Sequence, residues 1–481
     1  MKLRKLFGIV FISLMLTGCQ DDQDDNLSNF NQEGNQNDDQ EGIKDFIWKA
    51  MNIFYVYKSD SPDLADDRFE TTPEYRDFLA SIETPINFFY SLLAQQDRFS
   101  FIVEDFEILE QRFNGISLNN GMKFGLVRFN DTDFVFGYVR YVVPDSPADV
   151  AGVERGMIFN RVDGVVFTPE TDFNQLFAPN NYTIGLAEIQ DMSLIPLEET
   201  IPLSKVQLTE NPILEQRVID VNGQQVGYLM YNNFRSNYDT ELNAVFANFQ
   251  AKGVTDLVLD LRYNSGGRIE TAKDLSSMIT GQFNEQVFAQ QIYNSNFDPS
   301  NIFFDNQIST EENINSLNLN RVFILTTSSS ASASELVINA LNPYIDVVQI
   351  GRTTAGKFEG SVTLYDSEDF RRANANLDHK YAIQPLILKT ANKEGFTGFF
   401  DGLEPDILQN EDFANLGILG NPNETLLNRA LQEIDPDFVP DPERRALNIP
   451  KFQLLGEDDM NAPPFNGCML MKLNFKNLFK T

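Results

Sequence analysis

Ser328-Ser329-Ser330-Ala331-Ser332-Ala333-Ser334-Glu335, followed later by Thr354-Ala355-Gly356-Lys357, is the stretch on which the reading of this chain turns. An apolar run, Val322 to Leu325, precedes the serines and Glu335 to Leu341 follows them, so a strand passes through a tight polar turn into a helix. Backbone amides at such a helix start, with the helix dipole behind them, stabilise negative charge. Lys357 arrives 25 residues after Ser332, in a chain whose one histidine is His379. A nucleophilic serine needs a base, and here a lysine is the better candidate. Read as a polar loop alone, the same stretch makes Ser334 the helix cap.

From Val206 onward the pattern alternates strand and helix: Val226 to Tyr231, Glu241 to Phe249, Leu257 to Leu261, and Val347 to Ile350 beyond the serine turn. That alternation predicts an α/β core. Asp260-Leu261-Arg262-Tyr263-Asn264-Ser265-Gly266-Gly267 follows one strand, the serines follow a second and Gly356-Lys357 a third. Three loops thus converge at one edge of the sheet, where α/β proteins place their sites.

Between Ile116 and Ser204 short apolar runs with turn signals predict strands. Asp145-Ser146-Pro147-Ala148-Asp149-Val150-Ala151-Gly152 to Asp163-Gly164 reads as a capped helical turn, two glycine turns and a hairpin, and resembles the core of a PDZ domain of the bacterial protease type. That resemblance implies capture of an extended peptide by strand addition. Lys123-Phe124-Gly125-Leu126 is the candidate carboxylate loop, or else a strand entry. Upstream, Phe46, Ile47, Ala50, Met51 and Phe54, then Phe88, Phe89, Leu92 and Leu93, recur at helical intervals and predict a small helical domain.

The formal net charge of −33 disfavours nucleic acid as a partner, since phosphate binding needs clustered Lys and Arg. Lys2, Arg4 and Lys5 precede an apolar run, Leu6 to Leu16, too short to span a bilayer. Leu16-Thr17-Gly18-Cys19 resembles a bacterial lipobox, which implies cleavage before Cys19, lipidation there and attachment to a membrane. Cys468 is then left without a partner. Residues 19–41 carry eight acidic and no basic side chains, the composition of a disordered tether. The expected location is the cell envelope, as an outer-membrane lipoprotein facing the periplasm or the cell surface.

Taken together, the chain resembles the C-terminal processing peptidases, the tail-specific serine proteases of family S41. Ser332-Ala333-Ser334-Glu335 matches the family's serine motif, Gly356-Lys357 its lysine motif, and Asp401-Gly402-Leu403-Glu404-Pro405-Asp406 is similar to its late Gly-x-x-Pro-Asp segment. The resemblance implies a multidomain α/β protein: signal peptide 1–18, tether 19–41, helical domain 42–115, β-rich PDZ domain 116–205, ClpP/crotonase-like protease core 206–435 and a tail 436–481 that fits no part of it. It further implies an exported serine endopeptidase that recognises protein substrates near a free C-terminus and forms an acyl-enzyme on Ser332, with Lys357 as base.

A solvated lysine titrates near roughly 10.4, so a lysine base needs an apolar pocket. Ala333 with Gly266 or Gly267 supplies the implied oxyanion donors. Glu335 is a supporting residue or only a favourable first-turn acid. Ser361 stands where the family often has a polar amide four residues after the lysine. Pro343, beside Asn342, stands where some members have an Asp eleven after the serine. Two other readings remain: a degenerate peptide-binding scaffold, and an esterase using a Ser332/His379 pair. No metal-ligand cluster, phosphate loop or nucleotide fingerprint occurs, so no cofactor is expected.

Overall fold

The computed structural model describes residues 35–440, apart from 131, 191, 192 and 414, together with 452–458 and 469–470. The expected signal peptide, Cys19 and Cys468 lie outside the described residues.

The core is a six-stranded sheet in the order Ile213–Val221, Gln224–Tyr231, Asp256–Asp260, Arg321–Thr326, Asp346–Gly351, Ile407–Leu408. The first pair is antiparallel and the rest run parallel. Its central strands read as continuous apolar runs because both faces are covered. Leu257, Leu259, Val322 and Ile324 face one side, packing with the helices Asp239–Ala251, Ile269–Thr280 and Ala333–Leu341. Val258, Phe323 and Leu325 alternate to the other, against Leu426, Leu427, Ala430 and Leu431 of the helix Thr425–Ile434.

The helical N-terminal segment packs directly on the rest of the chain. Phe46, Ile47, Ala50, Met51 and Phe54 share one core with Leu364, Ile383, Leu386 and Leu388, far down the chain. Its strand Phe101–Val103 pairs antiparallel with Ala382–Gln384. The short helices Thr72–Ala80 and Pro85–Ser91 cannot cover an apolar stripe this wide, so it folds onto the core. The first helix also starts at Asn35, inside the tether expected over 19–41. A run rich in acidic residues suits the first turns of a helix, where the dipole favours negative charge.

The β-rich unit is entered and left through a paired neck, Ile116–Asn119 against Val206–Thr209. Beyond it the strands Met122–Phe129, Val135–Val142, Ile158–Val162, Asn181–Gln190 and Ser193–Ser204 follow one another in a sheet. Pro147–Val150 is a helical turn whose cap Ser146 accepts from Asp149 N at 3.3 Å, and Asp163-Gly164 turns the hairpin between Ile158–Val162 and Val165–Val166. Lys123 to Leu126 form no loop. They lie within the strand Met122–Phe129, where Phe124 to Val127 are all buried. The turn comes earlier, at Gly121, whose amide donates to Asn119 Oδ1 at 2.8 Å. The tail beyond 435 contributes the strand Phe452–Glu457, paired with that edge strand.

Candidate active site

Because Asp256–Asp260, Arg321–Thr326 and Asp346–Gly351 run parallel, their C-terminal ends open on one edge. The three loops are stitched together there. Ala331 N donates to Asn264 O at 3.1 Å, and Ala355 N to Ser330 O at 3.0 Å. Ser334 Oγ donates to Asn264 O at 2.9 Å, so Ser334 ties the helix start to the glycine loop rather than capping the helix. Ser332 itself occupies the cap position.

Ser332 has φ 62° and ψ −111°, a conformation costly for a residue with a side chain and common where strain positions a functional group. Only glycine fits beside it. Gly266 has φ +114°, and a Cβ built there meets Ser332 Cβ at 2.7 Å. Among the described residues, neither Ser332 Oγ nor Lys357 Nζ has a hydrogen-bond partner, though both are fully buried. Two polar groups left unpaired in a dry interior are costly unless each serves the other or a ligand.

Glu335 organises the pair. Its Oε2 accepts from Ser332 N at 2.7 Å and Lys357 N at 2.8 Å, so one oxygen holds the two backbones together. Its Oε1 accepts from Gly356 N at 2.7 Å and from the Thr354 hydroxyl. Burial pushes this carboxyl up, to about 7, against the pull of those donors. Leu403 N donates to Thr354 Oγ1 at 2.7 Å and Asp406 Oδ2 accepts from Gln349 N at 2.8 Å, so the Asp401 to Asp406 segment braces the lysine loop.

The N-terminal segment supplies neighbours that sequence reasoning missed. The Phe99 ring lies 4.8 Å from Lys357 Nζ, giving the amine the apolar wall it was expected to need. Arg98 donates to Gly356 O at 2.8 Å and Phe400 O at 3.1 Å. Tyr57 donates to Glu359, whose carboxyl burial pushes up. Ser361 is buried in the strand Glu359–Ser361, and Gln384 Nε2 donates to its Oγ at 3.1 Å, so a side-chain amide reaches this position from another strand.

Of the oxyanion candidates, Gly266 N is committed to Asn264 Oδ1 at 2.8 Å because Asn264 folds back over the turn. Ala333 opens the helix, where amides lack intrahelical acceptors, and Gly267 follows in the same loop at φ +138°. His379 is not brought to the serine: Nε2 lies 2.9 Å from Asp366 Oδ2, and Nδ1 accepts from Tyr381 N at 3.1 Å.

Residues 225–408 match the family model for peptidase family S41, and residues 42–101 match that for the peptidase S41 N-terminal domain. The chain belongs to peptidase family S41. A carboxyl-terminal-processing protease of Picosynechococcus is 24% identical over 218 residues, covering 45% of this chain and 49% of that protein. The chloroplastic carboxyl-terminal-processing peptidase 1 of Arabidopsis thaliana is 24% identical over 221 residues, covering 45% and 42%. This chain thus spans about half the length of the curated relatives it matches. A solved S41 protease of Bacteroides fragilis superposes with a TM-score of 0.62 at 26% identity, covering 81% of this chain and 97% of that one. The photosystem II D1 C-terminal processing protease shares the fold, with a TM-score of 0.50 at 18% identity and 79% and 94% covered.

Proposed function

We propose that this chain is a serine endopeptidase that cleaves protein substrates recognised near their C-termini, with Ser332 as nucleophile and Lys357 as general base. The observation that carries the reading is the joint burial of Ser332 Oγ and Lys357 Nζ, neither with a hydrogen-bond partner among the described residues, on two backbones whose amides both donate to one Glu335 oxygen. In this mechanism Ser332 Oγ attacks the scissile carbonyl as its proton passes to Lys357 Nζ. The amine then protonates the leaving nitrogen, and water hydrolyses the acyl-enzyme by the reverse path. The Ala333 and Gly267 amides face the developing oxyanion; losing one such donor costs about 10²–10³ in rate.

The unit 116–205 is the PDZ-like peptide reader of this enzyme. The protein is exported and held at the cell envelope by a lipid on Cys19, as a lipoprotein of the outer membrane. A Cys19→Ala variant recovered in the soluble rather than the membrane fraction supports the anchor; one that stays with the membrane overturns it.

A fluorophosphonate probe tests the nucleophile. Labelling is expected to vanish in Ser332→Ala and persist in Ser334→Ala, and labelling retained in Ser332→Ala sinks the assignment. The Ser332/His379 esterase has no support left, since both ring nitrogens are engaged elsewhere.

Glu335 sets the expected pH dependence. Only the ionised carboxylate accepts all four donors, so turnover falls as pH drops through about 7. Stability runs the other way. A folded value raised above the ordinary 4.5 contributes stability that is fully present below that value and lost as pH rises through about 7. Glu335→Gln turns amide hydrogens toward backbone N–H groups and removes the titration. Its kcat is expected to fall about 10- to 100-fold, the worth of one charge-assisted hydrogen bond of about 1.5–3 kcal/mol. The acidic limb of its kcat–pH profile should flatten. An unchanged limb in the variant would show that another group controls it.

A further inference from the structure

The tail beyond the peptidase core returns to the β-rich unit and adds a strand to it. Phe452–Glu457 pairs antiparallel with the edge strand Met122–Phe129, with Phe452 opposite Phe129 and Glu457 opposite Gly125, and Asp458 N donates to Phe124 O at 3.2 Å. Strand addition is sequence-tolerant, so specificity must come from side chains. Two acids provide it. Glu457 lies 3.0 Å from Arg140 and also accepts from the Ser329 hydroxyl, three residues before Ser332. Asp458 lies 3.2 Å from Lys123.

These contacts line a cavity of about 540 Å³ that also includes the Ser265-Gly266-Gly267 turn. Its basic lining is Arg112, Lys123, Arg140, Arg235 and Arg268; apart from the tail's own two acids, Glu210 is the one acidic residue there. In a chain with 70 acidic and 37 basic residues, this concentration of positive charge marks the cavity for an anionic ligand. Arg140 sharpens the point. It is 5% exposed, and among the described residues the carboxylate within ion-pair distance of it is Glu457. A buried guanidinium left without that carboxylate is costly, so the site needs an acid in place. By contrast Leu454 and Leu455 are 39% and 37% exposed, so the strand is held by backbone and charge more than by apolar burial.

We propose that the edge strand Met122–Phe129 with Arg140 and Lys123 is a docking site for an extended peptide bearing two consecutive acidic residues, and that residues 452–458 of this chain occupy it in cis. The docked tail excludes an acidic substrate tail from the same edge and keeps a carboxylate beside the serine loop. The link to turnover rests on the peptidase reading above; the docking does not.

The test uses the full chain carrying Ser332→Ala, which binds without turnover, and a fluorescent peptide Phe-Gln-Leu-Leu-Gly-Glu-Asp. A tethered segment competes at an effective concentration of about millimolar. Releasing it with Glu457→Lys and Asp458→Lys is therefore expected to tighten peptide binding at least about tenfold. Adding Arg140→Gln should abolish the gain, and a peptide ending Gln-Asn should not bind.

Hydrogen exchange gives a second measure. Amides of residues 122–129 exchange faster in the released chain and are protected again by the peptide. Equal binding by parent and released chains, or equal binding of the Gln-Asn peptide, overturns the proposal. With Ser332 restored, the released chain is expected to cleave an acidic-tailed peptide with lower KM and unchanged kcat. If the peptide docks as described but nothing is cleaved, the docking stands and the peptidase reading falls.

Discussion

Lys357→Met is expected to lose hydrolysis by on the order of 10⁴–10⁶ in kcat while leaving the melting temperature unchanged or higher. Methionine keeps the length and apolar stem of the lysine and deletes only the amine. That amine is fully buried, faces the Phe99 ring at 4.8 Å and has no hydrogen-bond partner among the described residues. Burying a polar amine without a hydrogen-bond partner costs stability. Its removal therefore relieves the fold even as it removes the base. A structural lysine gives the opposite signature, losing stability and keeping activity.

Ser332→Ala should match Lys357→Met in size. In the proposed dyad the two groups act on one proton, so the double variant should be no worse than either single one. Losses that add would mean that the two side chains work in separate steps. Lys357→Arg is not expected to rescue, since a guanidinium stays protonated and cannot accept the serine proton.

The parts of this site that could be read from sequence are those whose chemistry is local. Leu257 to Leu261 and Val322 to Leu325 announced themselves as buried strands because a parallel sheet covered on both faces leaves no polar alternation. The placement of Ser332 and Lys357 in loops at one sheet edge was legible because each follows a strand end. What stayed hidden is tertiary. Phe99 and Arg98 reach the lysine loop from more than 250 positions upstream, through an N-terminal segment that shares its core with the peptidase sheets.

Gln384 reaches Ser361 from a strand of another sheet, filling with a distant amide the place where the sequence offered only a hydroxyl. Ser334 had the right type for a cap, yet the acceptor that claims its hydroxyl, Asn264 O, belongs to another loop. The tail strand Phe452–Glu457 had no recognisable role because its meaning lies wholly in the edge it covers.

Arg262→Met is expected to destabilise the fold by about 3–5 kcal/mol, the cost of removing one partner from a buried ion network. Arg262 is fully buried and meets Glu424 through two bonds of 2.8 and 2.9 Å, Asp260 at 2.8 Å and Glu411 at 3.2 Å. Arg155, from the β-rich unit, shares Glu411 at 3.3 Å. Without Arg262, Glu411 and Glu424 are left to Arg155, and Asp260 to the Tyr228 hydroxyl.

The effect depends on pH. Burial alone raises the Glu424 carboxyl, but Arg262 outweighs it and holds the group down to about 2. A depressed value contributes stability that is present above the ordinary 4.5 and lost as pH falls toward about 2. Wild type should therefore weaken across that acid window. In Arg262→Met the unpaired acids favour protonation instead, so the variant's deficit should shrink as pH falls through it. Urea unfolding at neutral pH and at about pH 4 measures both terms, and a neutral-pH deficit below about 1 kcal/mol would show the carboxylates to be hydrated rather than buried.

Catalysis should fall with stability in this variant. Arg262 sits in the loop from Asp260 to Gly267 that carries the glycine turn against Ser332, and Thr327, at the start of the serine loop, donates to Arg262 O. Arg262→Met loosens the frame on which the serine is strained, whereas Lys357→Met leaves that frame intact and removes the base, so the two variants separate holding the site from operating it.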